Sequence, residues 1–173
     1  MNVQDTISHA HPVLPRHDEA RRRTPAFTDV LIVCRANVCR SPAAEMLFKA
    51  WQVRMSGAAS IAFHSAGISA LDGRAMDPRM QRLLAERGVD IGTHRSRRLN
   101  QRIVRDADLV LVAELSQVRE IEMLDPTSRG KVFALGKWEN VDVADPYGCA
   151  EDAYGTSLAL MERLVMGWLE RIC

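Results

Sequence analysis

The stretch CRANVCRSPAAEM, residues 34–46, places a thiol and a guanidinium at a spacing suited to chemistry on a phosphate group. Cys34 directly follows the apolar run VLIV at residues 30–33, and Arg40 follows within the same stretch. A thiolate can attack phosphorus, while the planar fork of an arginine can hold two phosphoryl oxygens at once. The pair therefore predicts phosphoryl transfer, with Cys34 as the nucleophile and Arg40 as the phosphate clamp.

The residues around this pair predict a strand, a loop and the start of a helix. The run at 30–33 is a strand candidate; Ser41 is a good helix cap, and Pro42 fits a first helical turn because its missing N–H would be unpaired there. The backbone N–H groups of the intervening loop and the helix N-terminus would form a positive cradle for phosphate. In that cradle we expect Cys34 to be a thiolate at neutral pH, with Ser41 donating a hydrogen bond to it.

A structural alternative exists, in which Cys34 is a small buried apolar residue and Arg40 a surface charge. The combination of buried strand, cysteine, Arg-Ser-Pro and amphipathic helix favours the phosphate-binding loop. The other residues of this predicted loop are Arg35, Ala36, Asn37, Val38, Cys39 and Ser41.

Asp145, in the segment VADPYG, is the candidate general acid. It follows the last strand candidate, so in a parallel sheet its loop would lie at the same edge as Cys34, and the two nearby anions, thiolate and phosphate, would favour its protonated form. Without Cys34, Asp-Pro-Tyr-Gly would be an ordinary turn. Tyr147 in this loop either stacks on an aromatic leaving group as a wall of the substrate site or is simply an exposed turn residue.

Positioning these residues requires alternating strands and helices. The strand candidates are residues 30–33, 61–63, 109–112 and 131–135. Helical spacing groups Ala43, Leu47, Ala50 and Trp51; Met80, Leu83, Leu84 and Arg87; and Met161, Val165, Trp168 and Ile172. This order predicts an α/β fold, a three-layer sandwich with a central four-stranded parallel sheet and a phosphate-binding loop after the first strand.

The length and composition predict one ordinary globular domain. With 173 residues, 47% hydrophobic and 26% charged residues and a net charge of +1, it offers no broad basic field for nucleic acid. Residues 1–27 carry three prolines and no periodic pattern, which predicts a disordered N-terminal tail before one folded domain at 28–173. The histidines of HAHPVLPRH within that tail lack the ordering that a metal site needs.

The cysteines indicate a cytoplasmic protein. The four cysteines and the lack of a secretory signal are typical of reduced thiols rather than of a disulfide framework. No apolar run approaches the length of a membrane span, so direct membrane insertion is not expected. We expect a monomer or a weak dimer.

Beyond these features, the sequence from about Asp29 to its end resembles the low-molecular-weight protein tyrosine phosphatases. The matching segments are VCRANVCRSP, HSAGISALDGRAMDP, RGVDIGTHRSRRL, DADLVLVAELSQVREIEML and SRGKVFALGKWENVDVADPYG, in the family's order. GKWEN and DPY resemble the bacterial branch that dephosphorylates tyrosine kinases governing capsule and exopolysaccharide export. The resemblance implies Cys34 as nucleophile, Arg40 as clamp, Asp145 as acid and Asn37 and Ser41 as loop supports, with no metal or cofactor.

Three positions depart from the family pattern. Ala36 stands where the family usually has Gly, and it would strain the loop if the position needs a positive φ. Arg35 replaces a small or apolar residue, so a cation there would favour acidic phosphopeptides or attract the tail. Ala113 stands where the family has Met, which we interpret as core variation.

Other functions on the same loop remain as alternatives. Residues 104–115 contain no cysteine, which argues against an arsenate reductase. Val38 points to phosphotyrosine, because protein-arginine phosphatases tend to carry Thr there. A non-catalytic phosphate-binding adaptor would need neither the thiol nor the acid. Cys39 is either a redox partner that protects Cys34 through a reversible disulfide or a packed thiol.

Overall fold

The computed structural model of the protein describes residues 26–56 and 61–173. Its centre is a sheet of four parallel strands in the order β2-β1-β3-β4. The strands are β1 Asp29–Cys34, β2 Ala62–Gly67, β3 Leu109–Val112 and β4 Val132–Ala134. The predicted four-stranded parallel sheet is confirmed.

Helices cover both faces of the sheet, as the three-layer prediction requires. They are α1 Arg40–Ser56, α2 Pro78–Glu86, α3 Gln101–Asp106, α4 Leu115–Leu124 and α5 Glu151–Ile172, with a 3-10 turn at Pro126–Ser128. Alternate strand residues face opposite layers: Val30 and Ile32 pack with α1, α2 and α5, while Leu31 and Val33 pack with α3 and α4. Both faces of β1 are thus buried, which explains its uninterrupted apolar run.

Some elements differ from the sequence prediction. The strand expected at 61–63 runs from Ala62 to Gly67, because its later residues HSAG form the ladder with β1 despite their small or polar side chains. Helices α3 and α4 were not predicted. Of the predicted tail, residues 1–25 lie outside the described part of the chain, and Phe27 packs against the core.

The strand register brings the loops that carry chemistry to one edge. Cys34 at the end of β1 pairs with Gly67, and Val112 at the end of β3 pairs with both Val33 and Ala134. The loops that follow β1, β3 and β4 therefore share the carboxyl edge of the sheet, where parallel α/β folds bind ligands. Among the described residues, no helix is both long and apolar enough to span a membrane.

Candidate active site

Cys34 ends β1 and is 3% exposed, with its sulfur turned into the loop that follows. Its Sγ lies 3.0 Å from Ser41 Oγ and accepts a hydrogen bond from the Asn37 backbone N–H at 3.3 Å. The expectation that Ser41 caps the helix is wrong, because α1 already begins at Arg40. Ser41 lies inside the first turn, where its hydroxyl faces the thiol instead of a backbone N–H.

Asn37 adopts a left-handed backbone conformation within the loop, with a φ of 55°. Its Nδ2 donates to Ser41 Oγ and Ser65 Oγ, both at 2.9 Å, and its Oδ1 accepts from the Arg97 N–H at 2.9 Å. His94 Nε2 donates to the Asn37 carbonyl at 2.8 Å. Sequence reasoning assigned no role to Ser65, His94 or Arg97; only the fold brings these distant positions to the loop.

Ala36 does not carry the strain that a positive φ would impose. Among the described non-glycine residues, positive φ occurs at Asn37 and Asn140. The tight contact at this point involves Gly67 instead, since a Cβ there would lie 2.9 Å from the Ala36 carbonyl carbon and 2.8 Å from the Asn37 nitrogen. The glycine the loop requires is therefore on the neighbouring strand.

Arg40 is 2% exposed and is held by groups from two other loops. Its Nη1 donates to the Val143 carbonyl at 2.9 Å and to Glu114, while its Nη2 donates to Asp145 Oδ2 at 2.6 Å. Burial lowers the pKa of Arg40, but Glu114 and the charges of Cys34 and Asp145 outweigh it, so the pKa stays raised and the guanidinium charged. Glu114, two residues after the end of β3, was missed by sequence reasoning.

Arg40 Nε is a buried donor with no hydrogen-bond partner in the described part of the protein. It therefore remains available to a ligand oxygen.

Asp145 reaches this cluster from the loop after β4, as its sequence position predicted. Its side chain is 42% exposed, and its Oδ1 accepts from the Tyr147 N–H at 3.2 Å. Tyr147 is 52% exposed. A narrow cavity of about 60 Å³ is lined by Cys34, Ala36, Val38, Cys39, Arg40 and Asp145, together with Tyr147 and Arg74.

Arg35 turns away from this cavity towards α4. Its Nη1 and Nη2 donate to the two carboxylate oxygens of Glu120 at 2.7 and 2.8 Å. The hydrogen bond to Glu120 raises the pKa of Arg35, and the same bond lowers the pKa of Glu120. The expected free cation for acidic peptides is therefore neutralised within the protein.

Cys39 lies under the loop and is 3% exposed. Burial raises the pKa of the Cys39 thiol well above its ordinary range, and the charges of Asp77, Asp145 and Cys34 raise it further. Both Cys34 and Cys39 are free thiols. Cys39 is thus a neutral packed thiol in this state, and its role as a redox partner stays a prediction.

The arrangement joins a thiol that accepts a backbone N–H of the loop, a charged buried guanidinium and a carboxyl group at one small cavity. Such a set can attack phosphorus, hold its oxygens and protonate a leaving group. The sequence model of the family described as "Low molecular weight phosphotyrosine protein phosphatase" matches residues 29–173. The chain belongs to this family.

Relatives of this phosphatase support the same assignment. The probable low molecular weight protein-tyrosine-phosphatase EpsP of Ralstonia solanacearum is 38% identical over 143 residues, which cover 83% of this chain and 94% of the relative. The crystal structure of the Erwinia amylovora tyrosine phosphatase AmsI has a TM-score of 0.78 at 31% identity, covering 84% of this chain and 93% of that one. Low molecular weight phosphatases are hydrolases, so the chain belongs to an enzyme family.

The fold is also shared with the YwlE arginine phosphatase of Geobacillus stearothermophilus. That structure has a TM-score of 0.76 at 27% identity and covers 83% of this chain and 92% of its own. The backbone therefore does not separate phosphotyrosine from phosphoarginine, and the choice depends on the side chains that line the cavity.

Proposed function

We propose that residues 28–173 form a protein-tyrosine phosphatase domain that works through a phosphocysteine intermediate. The observation that carries this proposal is the 2.6 Å hydrogen bond between Arg40 and Asp145, at a cavity that Cys34 also lines. It joins the phosphate clamp to the candidate acid beside the nucleophile.

The first half of the reaction forms the phosphocysteine. The Cys34 sulfur attacks phosphorus, an S–P bond forms and the P–O bond to the tyrosine breaks. Asp145 gives its proton to the departing phenolate oxygen. Arg40 and the loop N–H groups bind the phosphoryl oxygens, and the unpartnered Arg40 Nε supplies one further buried donor for them.

The second half returns the enzyme to its starting state. The Asp145 carboxylate takes a proton from a water molecule, whose oxygen attacks phosphorus. The S–P bond breaks, inorganic phosphate leaves and the electron pair returns to the Cys34 sulfur. Atoms and charges balance with substrate and water alone, so the mechanism needs no metal or cofactor.

The substrate we propose is a phosphotyrosine protein, specifically a bacterial tyrosine kinase that controls exopolysaccharide production. The buried, apolar Val38 in the cavity wall and the exposed Tyr147 ring favour an aromatic group over a guanidinium. The kinase assignment rests on the resemblance to the bacterial branch. We also propose a cytoplasmic location, which the four free thiols favour.

The test of the proposed function is steady-state hydrolysis of matched phosphotyrosine, phosphoserine and phosphoarginine peptides. We expect the wild type to hydrolyse the phosphotyrosine peptide, and Cys34→Ser to lose this activity. Preferred hydrolysis of the phosphoarginine peptide would instead make the protein an arginine phosphatase. Phosphate binding without hydrolysis of any peptide would make it an adaptor.

The role of Asp145 is tested by the Asp145→Asn variant. General acid catalysis contributes roughly 10²- to 10⁴-fold, so we expect a loss of that order for the phosphotyrosine peptide. The basic limb of a bell-shaped pH profile should move or disappear, since it reports loss of the acid's proton. An unchanged profile would remove Asp145 from this role.

A further inference from the structure

Tyr154 is a buried hydroxyl for which the proposed mechanism has no use. It lies in the first turn of α5 and is 1% exposed. Burial raises the pKa of Tyr154, so its hydroxyl is protonated and able to donate. A buried polar atom is costly unless it is hydrogen-bonded, which makes its partners informative.

The Tyr154 hydroxyl bridges two elements that border the active site. It donates to Asp77 Oδ2 at 3.2 Å and accepts the Gly148 backbone N–H at 3.3 Å. Asp77 caps the N-terminus of α2 with its other carboxylate oxygen. Gly148 belongs to the loop that carries the candidate acid.

On one side, the bridge reaches the phosphate-binding loop. The backbone N–H of Asp77 donates to the Val38 carbonyl at 2.7 Å. Asp77 is therefore bonded to the loop through its backbone and to Tyr154 through its side chain. This fixes Tyr154 relative to the nucleophile's own loop.

On the other side, the bridge reaches a tight turn. The Cys149 N–H donates to the Pro146 carbonyl at 2.9 Å, and Gly148 has a φ of 78°, typical of the third residue of a type II turn. The Tyr147 N–H, one position before Gly148, donates to Asp145 Oδ1. The turn thus links the Gly148 N–H stiffly to the Asp145 carboxyl group.

The Asp145 side chain is 42% exposed and is held at its carboxylate oxygens, by Arg40 and by the Tyr147 N–H of its own turn, so the position of that turn determines where the carboxyl group lies. We propose that Tyr154 is a positioning residue for the general acid: its hydroxyl holds the Asp145 turn in register with the phosphate-binding loop. The inference rests on the proposed phosphatase function. It assigns Tyr154 no contact with the substrate, only control over where the Asp145 proton is delivered.

The test compares Tyr154→Phe with the wild type on phenyl phosphate and p-nitrophenyl phosphate. The more basic phenolate needs a proton in order to leave, whereas p-nitrophenolate depends on it much less. The ratio kcat/KM covers only the steps up to phosphocysteine formation, so it reports on proton transfer to the leaving group and not on the later attack of water. We expect kcat/KM to fall about 5- to 10-fold for phenyl phosphate and less than about twofold for p-nitrophenyl phosphate.

Two further variants separate positioning from simple stability. Ser128→Ala removes another buried hydroxyl, which donates to the Asp125 carbonyl at 2.7 Å, and it should leave both rates unchanged. Asp77→Ser keeps a side-chain oxygen that can cap α2 but removes the second carboxylate oxygen, which accepts from the Tyr154 hydroxyl. It should reproduce the selective loss on phenyl phosphate even if Tyr154→Phe folds poorly.

A double-mutant cycle with Asp145→Asn gives the deciding result. In that background, Tyr154→Phe should change kcat/KM for phenyl phosphate by less than about twofold, since no acid remains to be positioned. Two results would overturn the inference without touching the proposed function. One is an equal loss of kcat/KM on both substrates in Tyr154→Phe, and the other is an undiminished loss in the Asp145→Asn background. A wild type that hydrolyses neither substrate would overturn the proposed function and the inference with it.

Discussion

At the scale of single residues, the site depends on how one buried cation is held. Arg40 has Glu114 on one side and Asp145 on the other. Glu114 is fixed in turn by the fully buried Gln117, whose Nε2 donates to Glu114 Oε1 at 3.2 Å. Glu114 therefore orients the guanidinium without lining the cavity, whereas Asp145 lines it and is the proposed acid.

Glu114→Gln should weaken the binding of phosphate to the clamp. A hydrogen bond to a charged group contributes about 1.5–3 kcal/mol, so we expect kcat/KM on a phosphotyrosine peptide to fall roughly 10- to 100-fold. Inhibition by inorganic phosphate should weaken in parallel, because the loss is in the clamp rather than in the acid.

The matched control is Glu120→Gln, which removes a carboxylate from α4, the helix that Glu114 caps. Glu120 pairs with the partly exposed Arg35, and such surface pairs contribute only about 0–1 kcal/mol. We expect less than about a fivefold change in kcat/KM. Equal losses in the two variants would contradict the specific role of Glu114.

The sequence was enough to predict that Cys34, Arg40 and Asp145 lie together, because each stands in a recognisable local pattern. Cys34 and Arg40 flank one short loop, and Asp145 stands beside a proline after the last strand, so strand order was enough to bring them together. Glu114 and His94 carry no local signal. Their roles arise from contacts across long sequence separations, which only the fold specifies.

At the scale of elements, the end of β2 supports the phosphate-binding loop from the side. Gly67 lets the two backbones approach more closely than a side chain would allow. The strand prediction missed this part of β2 because HSAG lacks the apolar and β-branched residues that mark strands. Its pairing with β1 and the loop contact select these residues instead.

Gly67→Ala should displace the loop. Its Cβ would meet backbone atoms and the Ala70 Cβ at 2.8–2.9 Å, none of which is the flexible end of a side chain. We expect a destabilisation of about 1–3 kcal/mol in urea unfolding and a loss of phosphate binding in the remaining folded protein.

Gly155→Ala is the control for this substitution. Gly155 lies within α5, and a Cβ there would meet nothing within 4 Å. Alanine is the better helix former, so this variant should gain about 0.5–1 kcal/mol and keep its activity. Unchanged phosphate binding in Gly67→Ala would show that the loop does not depend on this close approach.

At the scale of the whole molecule, the layer of α3 and α4 is tied together by a buried carboxylate. Asp125 accepts hydrogen bonds from Thr127 Oγ1 at 2.9 Å and from Arg105 Nε at 3.0 Å. Although desolvation raises the pKa of Asp125, the hydrogen bonds from Thr127 and Arg105 outweigh it and leave the pKa below its usual value. The charged form is therefore favoured by folding.

Asp125→Asn should lower the free energy of unfolding at neutral pH. In acid, the difference from the wild type should disappear. A lowered pKa in the folded state contributes stability above the unfolded value of about 4, and this contribution disappears as the pH falls through the folded value. Urea unfolding of both proteins from pH 7 to pH 3 should show the two free energies of unfolding converging.

The control is Asp106→Asn, which removes a carboxylate from an exposed pair with Arg102 and should give no such pH-dependent difference. Parallel curves for Asp125→Asn would contradict the role of this network.

The position of β1 between β2 and β3 has a consequence for how the enzyme loses activity. Cys34, the proposed nucleophile, lies at the end of a strand that is paired on both sides and covered on both faces. Such central strands exchange their amide hydrogens only when the whole domain opens, whereas edge segments open locally. Cys34 should therefore be displaced from its position at the end of β1 only when the whole domain unfolds.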